Sequence, residues 1–401
     1  MGLKHKLICY CAIIFSTMEN RLKRHVKIVC TLGPASNSPE ILEKMLQSGM
    51  DVVRLNLSYG TLEEHQQTVA SVRSISQKMN LPTAILLDLP GRKRRTGDVK
   101  AVFGDQLQFA SDNQVDFIAL SFITSVQQVE EVKSLLSDMK ISIPIIVKIE
   151  KGEALAVSGS IIDSGEGVMV ARGDLGLQIN IEKVPLAQKK IIREANERGK
   201  PVITATEMLE SMVKSPSPTR AEATDVANAV LDGTDAVMLS EETSIGKYPV
   251  EAVEMMSKII REAETVFPHD EILNEPPGEF LNEIDDATAR AACQIASQIG
   301  AKAIVALTAG GNTALRVAKH RPGQPILAVT LSDIIMRQLN LVWGVYPLVR
   351  SSPVKLEEWL EVARITALET GVAQSGDTIV VTAGLPLGVT GSTNLVKVHR
   401  V

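Results

Sequence analysis

Lys148 and Glu150 lie two residues apart at the end of an apolar run, so on an extended strand their side chains project the same way. Such a pair is either a plain ion pair or part of a working site. A second carboxylate, Asp174, follows the next apolar run and favours the working site. Glu150 and Asp174 together offer the hard oxygen ligands that suit Mg²⁺ (or Mn²⁺), a cation that takes one or two carboxylates plus substrate oxygens. A lysine beside that ion offsets charge on a transferring phosphoryl group. The glycine-punctuated segment Ala171–Gly176 brings backbone amides close to an anion, with a helix start to follow. With Arg54 it makes a pocket for a phosphate and a carboxylate together. A rival reading gives Lys148 a Schiff base, which needs a lowered pKa, whereas adjacent carboxylates raise it.

Something must hold these groups at one place. Eight short apolar runs recur along the chain: Val26–Thr31, Val52–Leu57, Thr83–Asp88, Phe117–Phe122, Ile143–Ile149, Gly167–Ala171, Pro201–Thr206 and Ala236–Ser240. They are almost continuously apolar, as strands buried on both faces must be. Amphipathic stretches of helical length separate them, among them Pro39–Gln47, Leu62–Gln77, Ser125–Ser137 and Pro185–Arg198. Eight strand–helix repeats predict a closed (β/α)8 TIM barrel. Polar residues sit where the runs end: Asn56, Ser58, Asp88, Lys148, Glu150, Arg172, Asp174, Thr206, Ser240 and Glu242. In such a barrel all of these face one mouth, the one that does chemistry.

After a long helix, Lys247–Phe267, a segment rich in Pro, Asp, Glu and Asn reads as a linker. A second alternating pattern follows: helix Asp285–Ile299, strand Ala303–Leu307, helix Asn312–His320, strand Pro325–Val329, then strands Thr378–Thr382 and Val396–Val401. It predicts a smaller doubly wound α/β domain. The expected organisation is an N-terminal extension over 1–24, a barrel over 25–267, a linker over 268–283 and the α/β domain over 284–401.

Composition narrows the partners. A net charge of −5 over 401 residues argues against nucleic acid, which needs a basic face, and 3% aromatics leave little for base stacking. Cys9, Cys11, Cys30 and Cys293 have no metal-ligand spacing, so a reducing cytoplasmic setting is expected. Lys4–Lys6 followed by apolar Leu7–Phe15 outlines a signal peptide, but no small-residue cleavage site follows and the run is too short to span a membrane. It reads as a start assigned too early, with Met18 the true start, or as a disordered extension.

Longer motifs then become specific. Lys27–Ser36, Val53–Ser58, Val147–Glu150, Met169–Gly176, Thr204–Leu209, Pro218–Glu222, Asp225–Ala229, Asp232–Ser240 and Gly388–Asn394 resemble, in this order, segments of the pyruvate kinase family. The resemblance implies phosphoryl transfer from phosphoenolpyruvate to ADP, giving pyruvate and ATP in glycolysis. It implies that Lys148 stabilises the phosphoryl group, Glu150 and Asp174 hold Mg²⁺, and Arg54 with the Gly173–Asp174 backbone holds phosphoenolpyruvate. Thr206 would lie near the enolate carbon, supported by Ser240 and Glu242. Asn56, Ser58 and Asp88 match the monovalent-cation site, and Arg95, with Asn56, the nucleotide side. A homotetramer is implied too.

Departures from the pattern qualify these roles. Leu89 and Lys93 resemble the potassium-independent subclass, in which a lysine replaces the bound ion. The family inserts a small β lid after Gly97, and here Asp98–Gln114 already resembles the approach to the fourth strand, so the lid is expected to be absent near 97–104. Tyr59 replaces a histidine, Glu207 a glutamine and Glu241 a glycine. The alternative is a weakened phosphoenolpyruvate-binding protein or a structural subunit of a mixed oligomer.

Overall fold

The computed structural model describes residues 21–91, 99–275, 283–350, 356–386 and 392–401. Lys93, Arg95 and most of the Gly388–Asn394 turn lie outside them. The chain divides into two compact units, one made of Val26–Lys78 and Thr83–Ala263, the other of 79–82 and 264–401 with the described residues before Val26.

The first unit is the predicted barrel. Its strands are β1 (Lys27–Thr31), β2 (Val52–Asn56), β3 (Ala84–Leu89), β4 (Phe117–Leu120), β5 (Ile145–Ile149), β6 (Gly167–Ala171), β7 (Val202–Ala205) and β8 (Ala236–Leu239). All eight pair in sequence order, and β1 pairs in parallel with β8 to close the ring. Every residue of β1, β3, β5 and β6 is buried, which is why those runs lack polar alternation. Ser38 caps the first helix by accepting from Ile41 N, Pro39 opens it, and Gly49 at φ 119° ends it in a left-handed turn that a side chain would strain. At the helix Arg220–Leu231, Thr219 and Glu222 form a capping box.

The closed end of the barrel carries a pattern the sequence reading missed. Carboxylates just ahead of the even strands accept amide protons from the odd ones. Asp51 Oδ2 takes Ile28 N (2.8 Å), Asp116 Oδ2 takes Ile85 N (2.8 Å), Glu166 Oε2 takes Ile145 N (2.9 Å) and Asp235 Oδ2 takes Val202 N (3.0 Å). These bonds satisfy strand-start amides that a barrel would otherwise bury unpaired. They stitch the strands in pairs and leave the opposite mouth free for chemistry.

The second unit holds a five-stranded sheet in the order β11 (Val345–Val349), β10 (Ile326–Thr330), β9 (Ile304–Leu307), β12 (Thr378–Gly384), β13 (Thr393–Arg400). Residues alternate cleanly between its faces. Ile304, Ala306, Ile326 and Ala328 pack with the helices Ile284–Gln298 and Asn312–Lys319, while Ala303, Val305, Leu327 and Val329 pack with Trp359, Ala363 and Ala367 of Leu356–Glu369. Both faces are covered, as predicted for a doubly wound domain, but the edge strand β13 is antiparallel. Within the expected linker, His269–Asn274 is a short helix that buries Leu273, despite its charged composition. No helix among the described residues is long and apolar enough to cross a membrane.

Candidate active site

Three groups of side chains gather at the C-terminal mouth of the barrel. The first centres on Asp88, at the end of β3. Its Oδ2 accepts from Arg54 Nε (2.9 Å) and Nη2 (2.7 Å), a forked pair, and Lys148 Nζ lies 3.3 and 3.2 Å from its two oxygens. Lys148 also donates to Ser121 Oγ at 2.9 Å and pairs with Glu150 Oε1 at 2.8 Å. Arg54 Nη1 reaches Thr31 Oγ1 at 2.9 Å. Thr31 and Ser121 were not singled out from sequence, yet both stand at strand ends, where the signal lay.

Charge sharing explains the protonation of this group. Burial opposes the Asp88 charge, but Arg54 and then Lys148 outweigh it and hold the carboxyl below its ordinary range. Burial also opposes the Lys148 ammonium, and Asp88 and Glu150 together more than compensate, raising its pKa. Glu150 moves up as well, although Lys148 pairs with it. The two directions agree physically: Lys148 gains from two carboxylates, whereas Glu150 has one cation against its burial, with Asp174 adding repulsion.

Glu150 is buried, and its Oε2 accepts from Phe122 N at 2.6 Å. Its Oε1 is buried and pairs with Lys148 at 2.8 Å, with no further partner among the described residues. An inward carboxylate oxygen with spare acceptor capacity, facing an exposed Asp174 near enough to perturb it, suits a hard divalent cation.

The second group lies after β6 and β7. Gly173 N donates to Thr206 Oγ1 at 2.7 Å, and that hydroxyl donates to Ala205 O at 2.6 Å. Thr206 and Glu207 both have positive φ, 69° and 54°. For residues with side chains, a branched one above all, this costs about 1–3 kcal/mol each, and surrounding structure must impose it. The helix after β6 is only Arg172–Gly176, too short for the dipole expected of it.

The third group follows β8. Glu242 is buried and spends both oxygens on backbone, Oε2 on Ser240 N (2.6 Å) and Oε1 on Leu209 N (3.0 Å). Burial outweighs those bonds and pushes its carboxyl up. Ser240 Oγ is buried with no hydrogen bond among the described residues. Asn56 is in register with Asp88 across β2 and β3, and its Oδ1 accepts from Ser58 N at 3.0 Å. Tyr59 is 75% exposed beyond them. In the second unit, Gly311 N donates to Thr308 Oγ1 (2.9 Å) in the loop that leads into the helix Asn312–Lys319.

Comparison with known proteins shows the family. A family model described as "Pyruvate kinase, barrel domain" matches residues 23–106 and 103–253, and one described as "Pyruvate kinase, alpha/beta domain" matches 286–399. A pyruvate kinase of Geobacillus stearothermophilus is 38% identical across 94% of this chain and 80% of its own length. One from Staphylococcus aureus (strain USA300) is 36% identical with the same coverage. The first alignment runs to 472 positions against a chain of 401, so that relative carries segments this chain lacks.

Proposed function

The chain belongs to the pyruvate kinase family, and from that premise we infer that it moves the phosphoryl group of phosphoenolpyruvate to ADP, giving pyruvate and ATP. The observation that carries the reading is the buried Lys148 ammonium held between Asp88 and Glu150, with the Arg54 fork alongside. Both cations are oriented in advance, so little reorganisation is needed when an anion arrives. Arg54 and Lys148 take the phosphate, and the Gly173–Asp174 backbone takes the carboxylate.

Glu150 and Asp174 would hold a divalent cation, Mg²⁺ in the simplest case, which when bound supplies charge neutralisation for the transferring group. Lys148 stays protonated throughout and stabilises the oxygens between donor and acceptor. Thr206 stands where a proton must reach the enolate carbon once the phosphoryl group has left. Glu242 fixes the backbone of Ser240 and Leu209 behind it, and the Ser240 hydroxyl is proposed to support the proton path.

The nucleotide side is reduced. β3 ends at Leu89 and the next helix begins at Val99, so only residues 90–98 join them, far too few for a lid domain. Asn56 remains at this edge of the mouth, and Arg95 is proposed to serve it. Phosphoenolpyruvate with Mg²⁺ should therefore bind in an ordinary metabolite range, while ADP saturates late. Calorimetric titration of each ligand beside steady-state kinetics tests this: the KM for ADP should stand well above that for phosphoenolpyruvate. Tight ADP binding would mean another element has taken the lid's place, and absent phosphoenolpyruvate binding would overturn the catalytic reading.

Potassium is expected to be dispensable. Asp88, the carboxylate of the proposed monovalent-cation site, already carries Arg54 and Lys148, and Lys93 follows five residues later. Rates in tetramethylammonium and potassium buffers of equal ionic strength should agree within about twofold, since a fixed cation supplies the same charge. A collapse without potassium would refute it.

A further inference from the structure

Arg172 opens the segment after β6, yet it does not face the mouth as the other strand-end residues do. It is 7% exposed, and its guanidinium turns toward the end of β7. Nη2 donates to Thr206 O at 2.6 Å and to Glu207 O at 3.2 Å, and Nε reaches Thr206 O at 3.3 Å. Nη1 donates to Gln188 Oε1 at 3.3 Å and pairs with Asp225 at 2.6 Å, which neutralises the buried charge. The two carbonyls it grips belong to the two consecutive left-handed residues, Thr206 and Glu207. On the far side Glu242 Oε1 holds Leu209 N, so the strained turn is fixed at both ends.

We propose that Arg172 is a positioning residue for proton delivery: by gripping the carbonyls of Thr206 and Glu207 it holds both in the left-handed conformation and keeps the Thr206 hydroxyl against Gly173 N. A lysine in its place would supply the charge but not a planar fork that spans two successive carbonyls. The inference rests on the reading of Thr206 in the proton path. Transfer of the phosphoryl group leaves an enolate, and a C–H bond must then form at its methylene carbon with a solvent-derived proton. Arg172 sets the geometry of that second step and leaves the phosphate-binding cations untouched.

The test compares Arg172→Met, Asp225→Asn and Arg172→Met/Glu207→Gly. In Arg172→Met the turnover should fall about 100-fold, the scale of an ångström's misplacement. The KM for phosphoenolpyruvate should change less than about threefold. The solvent deuterium isotope effect on turnover should increase, and exchange of pyruvate methyl protons into D2O, followed by NMR, should slow in parallel. Adding Glu207→Gly should recover about tenfold, because glycine accepts positive φ without strain. If Arg172→Met does not fold, Asp225→Asn, at a part-exposed side chain, should show the same pattern at about tenfold. Loss of turnover and substrate affinity together, with no change in isotope effect and no rescue by glycine, would overturn the proposal and leave Arg172 a purely structural residue. Failure of the underlying reading looks different: Thr206→Val would then exchange pyruvate protons at the parental rate.

Discussion

The Glu150→Ala and Asp174→Ala variants should each lose ADP-dependent pyruvate formation while the protein still unfolds cooperatively. Divalent-cation catalysis is worth several kcal/mol, and about 4 kcal/mol corresponds to roughly a thousandfold in rate. Asp174 is exposed, so its loss should leave stability almost unchanged. Glu150 is buried against Lys148 and Phe122 N, and its removal takes one of two carboxylates from a buried ammonium and leaves an amide unpaired, so a lower melting temperature is expected there. Titration with Mn²⁺ by electron paramagnetic resonance separates binding from turnover, and both variants should bind the ion weakly. Acidification should act in the same direction. Burial raises the Glu150 carboxyl above its ordinary range, so it takes up a proton earlier as pH falls, and a protonated carboxyl does not ligate. Near-parental rates in both variants would show that the ion sits elsewhere.

Lys148→Met should reduce turnover by about 100- to 1000-fold, the usual effect of removing one fixed donor from a developing anion. The KM for phosphoenolpyruvate should move far less, because Arg54 keeps its fork on Asp88 and remains to receive the phosphate. Lys148→Arg should not restore the rate, since the planar guanidinium cannot occupy the compact position between Asp88, Ser121 and Glu150. A variant whose KM rose while its turnover held would recast Lys148 as a residue that only binds substrate.

The barrel was legible because burial on both faces erases polar alternation, leaving eight apolar runs at regular spacing. The site was legible for the converse reason: Asp88, Lys148, Glu150 and Thr206 are polar residues at the ends of those runs. What escaped notice depends on partners far away in sequence. Asp51, Asp116, Glu166 and Asp235 are single carboxylates before strands, and nothing local tells an exposed acid from one that accepts an amide of the preceding strand. Arg172 was visible as a strand-end residue, but its grip on the Thr206 and Glu207 carbonyls appears only once β6 and β7 are adjacent. The helix His269–Asn274 hid in a Pro- and acid-rich composition. The start of β13 at Thr393 was missed because an edge strand is only half buried and its alternation is weak.

Closure of the barrel also bears on how the chain reaches its folded state. β1 meets β8 through contacts such as Thr31 Oγ1 to Leu239 O, 208 residues apart in sequence. Loop-closure entropy makes so distant a pairing slow, and on the ribosome it cannot occur until residues beyond Leu239 have emerged. Until then the growing sheet has two open edges, and β1, with its apolar centre Ile28–Cys30, offers an unpaired ladder to any neighbouring chain. Nascent chains of this protein thus depend on late ring closure to escape aggregation, and a fragment ending before Ala236 would keep that hazard permanently.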